Sequence, residues 1–322
     1  MPYLQGFLIA TLSSLVLAGL SELLAPRLRL VDRSDSDSGS GSDERKIHRG
    51  ERPIGGVAIL VGFLLGAGPV IDWSRALTSL FLGAVMIFGL GLADDLRGLR
   101  AKTKLFFQAL AALSPILWGG IWVRSIALPG VTLELELGSW GIPLTLLWLM
   151  GITNALNFLD GLDGLAAGSS CIFLGFIALF AQEAEDPTTL LLALVLLGAT
   201  AGLLRYNLHP ARVFLGNEGA YLLGFLLGVL ALEPFASGFG QIGDLPASAP
   251  ILLLGLPIAD TIFAIIRRAC AGRSIFSPDR GHIHHRLLER WGYRRALAML
   301  YGISLALGLL ALAGRWRWLY TL

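Results

Sequence analysis

The sequence predicts an all-α integral membrane protein, and this expectation rests on its composition and on its repeated apolar runs. Of the 322 residues, 55% are hydrophobic and only 15% are charged, whereas soluble domains carry roughly 25% charged residues. Several apolar runs approach the ~20 residues that a transmembrane helix needs. We therefore expect about ten transmembrane helices in one domain covering residues 1–322, because little chain remains for a separate soluble domain.

The apolar runs place the ten expected spans along the chain. No basic segment or defensible cleavage pattern accompanies the first run, so we take it as a mature helix. The spans cover approximately residues 4–24, 57–71, 77–93, 105–122, 142–158, 165–181, 190–204, 220–232, 250–266 and 296–313. Residues 123–141 alternate weakly between apolar and polar types around Pro129-Gly130, which predicts a short extracytoplasmic β-hairpin.

The loop between the first two spans has two parts of different composition. Residues 34–44 contain only Ser, Asp, Gly and Glu. This predicts a disordered cytoplasmic insert, because no apolar side chain offsets the entropy of ordering. The basic stretch that follows includes Lys46, a candidate for binding the phosphates of a nucleotide or an anionic lipid. The alternative is the ordinary excess of basic residues in a cytoplasmic loop.

The distribution of Lys and Arg predicts the orientation of the protein. If both chain ends face outside, the inner loops carry 21 of the 25 basic residues, as the positive-inside rule requires. The net charge of +2 is too small to indicate a nucleic-acid partner. The two cysteines, Cys171 and Cys270, lie far apart and indicate neither a disulfide nor a zinc site.

Two of the four polar clusters on the predicted cytoplasmic face lie at helix ends. Asp94-Asp95 follows span three, where negative charge opposes the helix dipole and requires a cation, either nearby basic side chains or a metal. Residues 214–220 begin span eight and include Asn217, so an anion could bind the free amides of that helix. The alternatives are a solvated carboxylate pair and a plain Asn N-cap.

A third cluster lies between spans five and six. It contains Asn154, Asn157, Asp160 and Asp163, with glycines that let a ligand approach the backbone. Asp160 and Asp163 are three residues apart and would share one side of a helical turn, which suits a metal bound to phosphate oxygens. The alternative is an Asp-Gly turn followed by an Asp that caps the next helix.

The fourth cluster, residues 277–286, holds His282, His284 and His285 together with Arg280. Because no cysteine accompanies them at zinc-finger spacing, a diphosphate suits them better than structural zinc. Asp260 lies deeper, inside span nine, seven residues before Arg267. It could form a structural ion pair or belong to the site.

Together, and in this order, the four clusters resemble the motifs of the polyprenyl-phosphate N-acetylhexosamine-1-phosphate transferases of glycosyltransferase family 4. The resemblance covers nearly the whole chain, and residues 277–285 are most similar to the WecA/TagO type, which uses UDP-N-acetylglucosamine. It implies transfer of a sugar 1-phosphate from a UDP-N-acetylhexosamine to undecaprenyl phosphate, with release of UMP. The product would start a lipid-linked envelope polysaccharide, such as lipopolysaccharide or teichoic acid, at the bacterial inner membrane, with the active site facing the cytoplasm.

The resemblance also implies roles for individual residues. Asp94 or Asp95 would position or deprotonate the lipid phosphate, while Asp160 and Asp163 would hold nucleotide or metal. Asp163, Asn217 and Asp95 would bind magnesium, which manganese could replace. The expected substrate-binding residues are Lys46, Asn154, Asn157, Asp260, Arg280, His282, His284 and His285.

Two departures from the family pattern leave alternatives open. The family has Asp where this chain has Asn217, and an amide offers a metal an oxygen without charge. The chain is therefore either active with different metal binding or catalytically impaired. The acidic insert at 34–44 also interrupts the first loop. A membrane transporter is a rival reading, although only Asp260 lies clearly deep in a span. The sequence allows a homodimer without determining the oligomeric state.

Overall fold

The structure is a computed structural model that describes residues 1–28, 55–127, 134–233, 248–272 and 281–319. The predicted disordered insert at 34–44 and the candidates Lys46 and Arg280 lie outside these ranges. Within them the chain is mostly helical, which confirms the all-α prediction.

The described chain contains helices α1 to α12 and two short strands. The helices are α1 (Pro2–Leu28), α2 (Gly56–Ala67), α3 (Arg75–Arg97), α4 (Ala101–Leu113), α5 (Gly141–Leu159), α6 (Leu165–Glu183), α7 (Pro187–Asn207), α8 (Gly216–Leu232), α9 (Ser248–Leu253), α10 (Gly255–Cys270), α11 (Ile283–Trp291) and α12 (Tyr293–Leu319). The strands are β1 (Ser125–Ala127) and β2 (Glu134–Glu136).

Six helices in the described ranges are long and apolar enough to cross a membrane. They are α1, α3, α5, α6, α7 and α12. Two shorter apolar helices, α2 and α8, pack among them. These helices support a protein that crosses the membrane several times, and the count of ten spans stays a prediction.

Two of the predicted spans are interrupted at prolines. α4 ends at Leu113 and continues as a π-helical turn, Ser114–Trp118, that contains Pro115. Predicted span nine is divided into α9 and α10 at Leu254, three residues before Pro257. Proline has no amide hydrogen for the carbonyl four residues earlier and clashes with that carbonyl, so a regular helix cannot continue through these positions.

The two strands pair antiparallel, with Ser125 opposite Glu136 and Ile126 opposite Leu135. The turn that would join them, including Pro129-Gly130, lies outside the described residues. The membrane side on which this pair lies stays a prediction.

α8 is the central helix of the bundle. Every residue from Glu218 to Leu232 is buried, and the helix packs against α3, α5 and α2. At Gly224 a Cβ atom would lie only 2.7 Å from the Cα of Thr153, so glycine allows α5 to approach closely. Among the other helices, α1 packs on α7 and α2, and α6 packs on α7 and α12.

Candidate active site

The polar clusters meet at one end of the helix bundle. α3, α5 and α7 end there, and α2, α6 and α8 begin there. Backbone contacts join these ends, since the amide of Gly55 donates to the carbonyl of Phe214 at 2.7 Å. Segments far apart in sequence are thereby held at a common face, as a shared site requires.

Asp95 caps the N-terminus of α8. Its Oδ2 accepts hydrogen bonds from the backbone amides of Asn217 (2.8 Å) and Glu218 (3.3 Å). A carboxylate is favourable at this position because the N-terminal amides of a helix carry partial positive charge. Gly91 lies directly against the backbone of Glu218, leaving no room for a side chain between α3 and α8.

Asp94 is buried and fully engaged by protein groups. Its Oδ2 lies 2.6 Å from Nζ of Lys104 and accepts from the hydroxyl of Tyr221 at 3.1 Å. Its Oδ1 accepts from the backbone amide of Leu99 at 2.9 Å. The cation expected beside this carboxylate pair is thus present as Lys104, and Asp94 joins α3, α4 and α8.

Glu218 points into the protein rather than toward solvent. Its Oε1 accepts from the backbone amide of Gly56 at 3.0 Å and so caps α2. Its Oε2 is buried without a hydrogen-bond donor among the described residues and faces the carboxyl group of Asp95. Its contacts with Gly56 and Asp95 give Glu218 a structural role between α8, α2 and α3.

The donor atoms around Asn217 fit a magnesium ion in their chemistry. The described residues contain no group of three or more His, Cys, Asp or Glu side chains arranged for a metal. However, Oδ2 of Asp95 accepts from the backbone amide of Asn217, so these two residues are neighbours, and Oε2 of Glu218 has no hydrogen-bond donor among the described residues. Carboxylate and amide oxygens are the ligands that magnesium prefers. Asp163, the other expected ligand, has different partners.

The loop between α5 and α6 is held from three sides. Asp163 accepts hydrogen bonds at Oδ2 from the Ala211 amide (3.0 Å), with Nδ1 of His209 at 2.9 Å from the same oxygen. The hydroxyl of Tyr293 donates to the backbone carbonyl of Asp163. The hydroxyl of Tyr301 donates to the carbonyl of Gly164 at 2.6 Å. These contacts fix the loop against the segment between α7 and α8 and against α12.

Asn207 completes the support of this loop. Its side-chain oxygen accepts from the Gly164 amide at 3.1 Å, and its side-chain nitrogen donates to the carbonyl of Val213 at 3.0 Å. Gly164 has a φ of +76°, a left-handed conformation that glycine adopts without strain. One amide therefore connects the α5–α6 loop to the segment that precedes α8.

The other candidates of α5 have distinct environments. Asp160 lies at the C-cap of the helix and Asn157 lies in its last turn, both half-buried. Asn154 exchanges side-chain hydrogen bonds with Gln108 of α4, at 2.8 and 3.3 Å. This exchange gives Asn154 a structural role between two helices, and its predicted contact with substrate stays a prediction.

Asp260 and His282 hold the histidine block, which consists of His282, His284 and His285, against α10. Oδ2 of Asp260 lies 2.8 Å from Nδ1 of His282, and Oδ1 accepts from the backbone amide of Ile283 at 2.8 Å. The guanidinium group of Arg267 lies against Gly281. Both interpretations of Asp260 stay open, because its partner His282, at the start of α11, is itself a candidate substrate-binding residue.

His284 connects the histidine block to the α5–α6 loop. Its imidazole lies against Gly161, where a side chain would collide with the ring. It is 2% exposed, and its Nδ1 has no hydrogen-bond partner among the described residues. Burial lowers the pKa of His284 to about 3, because the charged form loses its hydration. His284 is therefore neutral at pH 7, whereas His285 is only half-buried.

A continuous series of contacts thus links all four clusters. It runs from Asp95 through the start of α8 and residues 208–215 to Asp163, and from Gly161 to the histidine block. Sequence reasoning missed His209 and Asn207, which lie just before the recognised 214–220 cluster. Two polar side chains between two spans were the available signal. The functional roles expected for the candidate residues stay predictions.

Comparisons with known proteins point to one family. A model described as glycosyl transferase family 4 matches residues 77–234. The chain is 36% identical to the probable undecaprenyl-phosphate N-acetylglucosaminyl 1-phosphate transferase of Bacillus subtilis, over 93% of this chain and 81% of the relative. It is 34% identical to the decaprenyl-phosphate N-acetylglucosaminephosphotransferase of Mycobacterium leprae, over 91% and 79%. The undecaprenyl-phosphate alpha-N-acetylglucosaminyl 1-phosphate transferase of Thermotoga maritima is 30% identical, over 95% and 89%.

Proposed function

Because the chain belongs to the polyprenyl-phosphate N-acetylhexosamine-1-phosphate transferases of glycosyl transferase family 4, we propose that it transfers N-acetylglucosamine 1-phosphate from UDP-N-acetylglucosamine to undecaprenyl phosphate. An oxygen of the lipid phosphate attacks the β-phosphorus of the donor and forms a new P–O–P bond. The bond from that phosphorus to the bridging oxygen breaks, and UMP leaves with the electron pair. The product is a lipid-linked sugar that starts an envelope polysaccharide.

The observation that carries this proposal is the meeting of the α5–α6 loop with both the histidine block and the segment before α8. Gly161 contacts His284, and Asp163 bonds to the Ala211 amide. Phosphoryl transfer depends mainly on positioning and on stabilising charge. A face that gathers carboxylates, amides and imidazoles from several helices is suited to hold two phosphorylated substrates in line.

The lipid phosphate needs little help from a base. The second pKa of a phosphate monoester is about 6, so this group is largely ionised at neutral pH. Asp94 is already paired with Lys104, and Asp95 already caps α8. We therefore assign these two carboxylates to the positioning of α8 and of the acceptor rather than to proton abstraction.

Magnesium, or manganese in its place, is part of the proposal. Asp95 and Asn217 would hold the ion, and Asp163 belongs to the proposed set only if its contact with His209 opens. When bound, the ion would neutralise charge on the donor diphosphate. Because Asn217 is uncharged, its metal affinity should be lower than that of the Asp found in the family.

A catalytically impaired homologue is the second candidate, and Asn217 is the observation that favours it. Detergent-solubilised protein with radiolabelled UDP-N-acetylglucosamine and undecaprenyl phosphate tests both candidates, because a lipid-extractable labelled product appears only in the first. Asn217→Asp is the matched variant. If the unmodified protein forms product, it is not impaired. If it forms none and the Asn217→Asp variant does, impairment is established. Formation of labelled product should require added magnesium. If neither protein forms labelled product, the proposed reaction is refuted.

The orientation and the donor are further parts of the proposal. The positive-inside bias supports an active site facing the cytoplasm of a bacterial inner membrane, where nucleotide sugars are available. Parallel assays with UDP-N-acetylgalactosamine decide the sugar epimer. If that donor gives equal kcat/KM, the choice of N-acetylglucosamine is wrong while the reaction class stands.

A further inference from the structure

His209 is an imidazole that the reaction proposed above does not use. Its Nδ1 lies 2.9 Å from Oδ2 of Asp163. The side chain of Asp163 is 2% exposed, whereas the side chain of His209 is 40% exposed. Asp163 therefore anchors one ring nitrogen from inside the protein, and the remainder of the ring faces outward.

Tyr293 fixes the plane of this ring. The ring centroids of His209 and Tyr293 lie 3.8 Å apart with an angle of 23° between the planes. The hydroxyl of Tyr293 also donates to the backbone carbonyl of Asp163, so the tyrosine holds both members of the pair. A carboxylate bound to one ring nitrogen sets the orientation of an imidazole and leaves the other nitrogen to a ligand. In His209 that second nitrogen is Nε2.

His209 and the histidine block lie on two sides of one loop. Gly161 packs against His284, and Asp163, two residues later, holds His209. Asn207, two residues before His209, binds the Gly164 amide of the same loop. A ligand bound over residues 160–164 would therefore lie next to the His209 ring.

We propose that Nε2 of His209 hydrogen-bonds an oxygen atom of the nucleotide-sugar donor, and that Asp163 acts on donor binding by holding His209. The inference rests on the function proposed above. The donor is water-soluble and would enter from the aqueous side at this end of the bundle, where the His209 side chain is partly exposed, whereas the phosphate of the lipid acceptor would stay at the bilayer surface. His209 is then a donor-binding residue and Asp163 its positioning residue.

His209→Phe is the decisive variant because it keeps a ring against Tyr293 and removes both ring nitrogens. The loss of one hydrogen bond to the donor should raise its KM about 3- to 10-fold. Calorimetry with UDP-N-acetylglucosamine, in the absence of lipid acceptor, should show a similar rise in the dissociation constant. The KM for undecaprenyl phosphate should not change.

Asp163→Ala, alone and combined with His209→Phe, tests the positioning role. If Asp163 acts through His209, both single variants should raise the donor KM, and the double variant should add little to either. Asp186→Ala is the matched control, since Asp186 is a buried carboxylate that caps α7 at its opposite end. It should lower the melting temperature without changing donor binding.

Several results would overturn the inference. They are an unchanged donor affinity in His209→Phe, a change confined to the lipid KM, and additive effects of the two variants. If wild-type protein turns over substrate and His209→Phe matches it, the inference fails and the proposed function stands. If wild type forms no product but binds the donor more tightly than His209→Phe does, the proposed function fails and the inference stands. If wild type does neither, both fail.

Discussion

Replacing Glu218 tests whether its buried carboxyl group stabilises or destabilises the fold. The residue is 0% exposed, and its side chain accepts one hydrogen bond, from the Gly56 amide at 3.0 Å. Its other oxygen has no donor among the described residues and faces Asp95. Two carboxyl groups facing each other in a buried position repel when both are charged, so this contact should cost stability.

Glu218→Gln should therefore stabilise the fold, and Glu218→Ala should destabilise it. Glutamine keeps an oxygen for Gly56 and places a donor beside Asp95, a gain of about 0.5–1.5 kcal/mol. Alanine leaves the buried Gly56 amide without an acceptor, at about 1–3 kcal/mol. It also opens a cavity that brings the total to about 2–5 kcal/mol.

Thermal unfolding in detergent, without added metal and then with magnesium, measures both variants. A Glu218→Gln protein less stable than wild type without metal would refute the view that the second oxygen is unpaired. If the loss appears only when magnesium is present, Glu218 contributes to metal binding despite its orientation toward Gly56. Asp186→Asn serves as a control, since Asp186 caps α7 through the amides of Thr188 and Thr189.

Three further predictions concern charge and metal. Burial lowers the pKa of His284 to about 3 from 6.5, so between those values the unfolded chain binds a proton that the native state does not. The free energy of unfolding should fall by about 1.4 kcal/mol per unit as pH decreases through this window, and His284→Gln should remove that slope in unfolding titrations. Lys104→Met should leave buried Asp94 without its cation. Because Lys104 is partly exposed, stability should fall by about 3 kcal/mol, the low end for breaking a buried pair; chemical denaturation with no change would contradict this. Asn217→Asp should lower the magnesium concentration for half-maximal activity by about tenfold, and an unchanged magnesium titration would exclude residue 217 as a ligand.

The positions of the helices were largely predictable because apolar length is a local property. Each predicted span overlaps helical structure, although spans four and nine are interrupted, and α6 begins at Leu165, as predicted. The interruptions at Pro115 and Leu254 were not predicted, because the spans were placed by apolar length alone. Apolar length does not report the backbone hydrogen bond that a proline removes.

The candidate site was predictable only in part. Polar side chains at the ends of apolar runs identified Asp94, Asp95, Asp163 and Asn217, since such groups are costly without partners. The partners themselves could not be predicted, because they lie far apart in sequence. The hydrogen bond that the Gly56 amide donates to Glu218, for example, joins residues 162 positions apart. His209 was missed for the same reason: its partner, Asp163, lies 46 residues earlier.

The sequence by itself determined the class of the protein, its helical segments, its family and the residue types available for chemistry. These properties follow from composition and short-range pattern, which any local window contains. Only the tertiary structure decided which carboxylates already have partners within the protein. Asp94 is paired with Lys104. Asp95 caps α8 and Glu218 caps α2. Asp163 holds the imidazole of His209. Such pairings depend on how the helices pack in three dimensions, since a buried polar atom binds whatever donor the neighbouring helix presents.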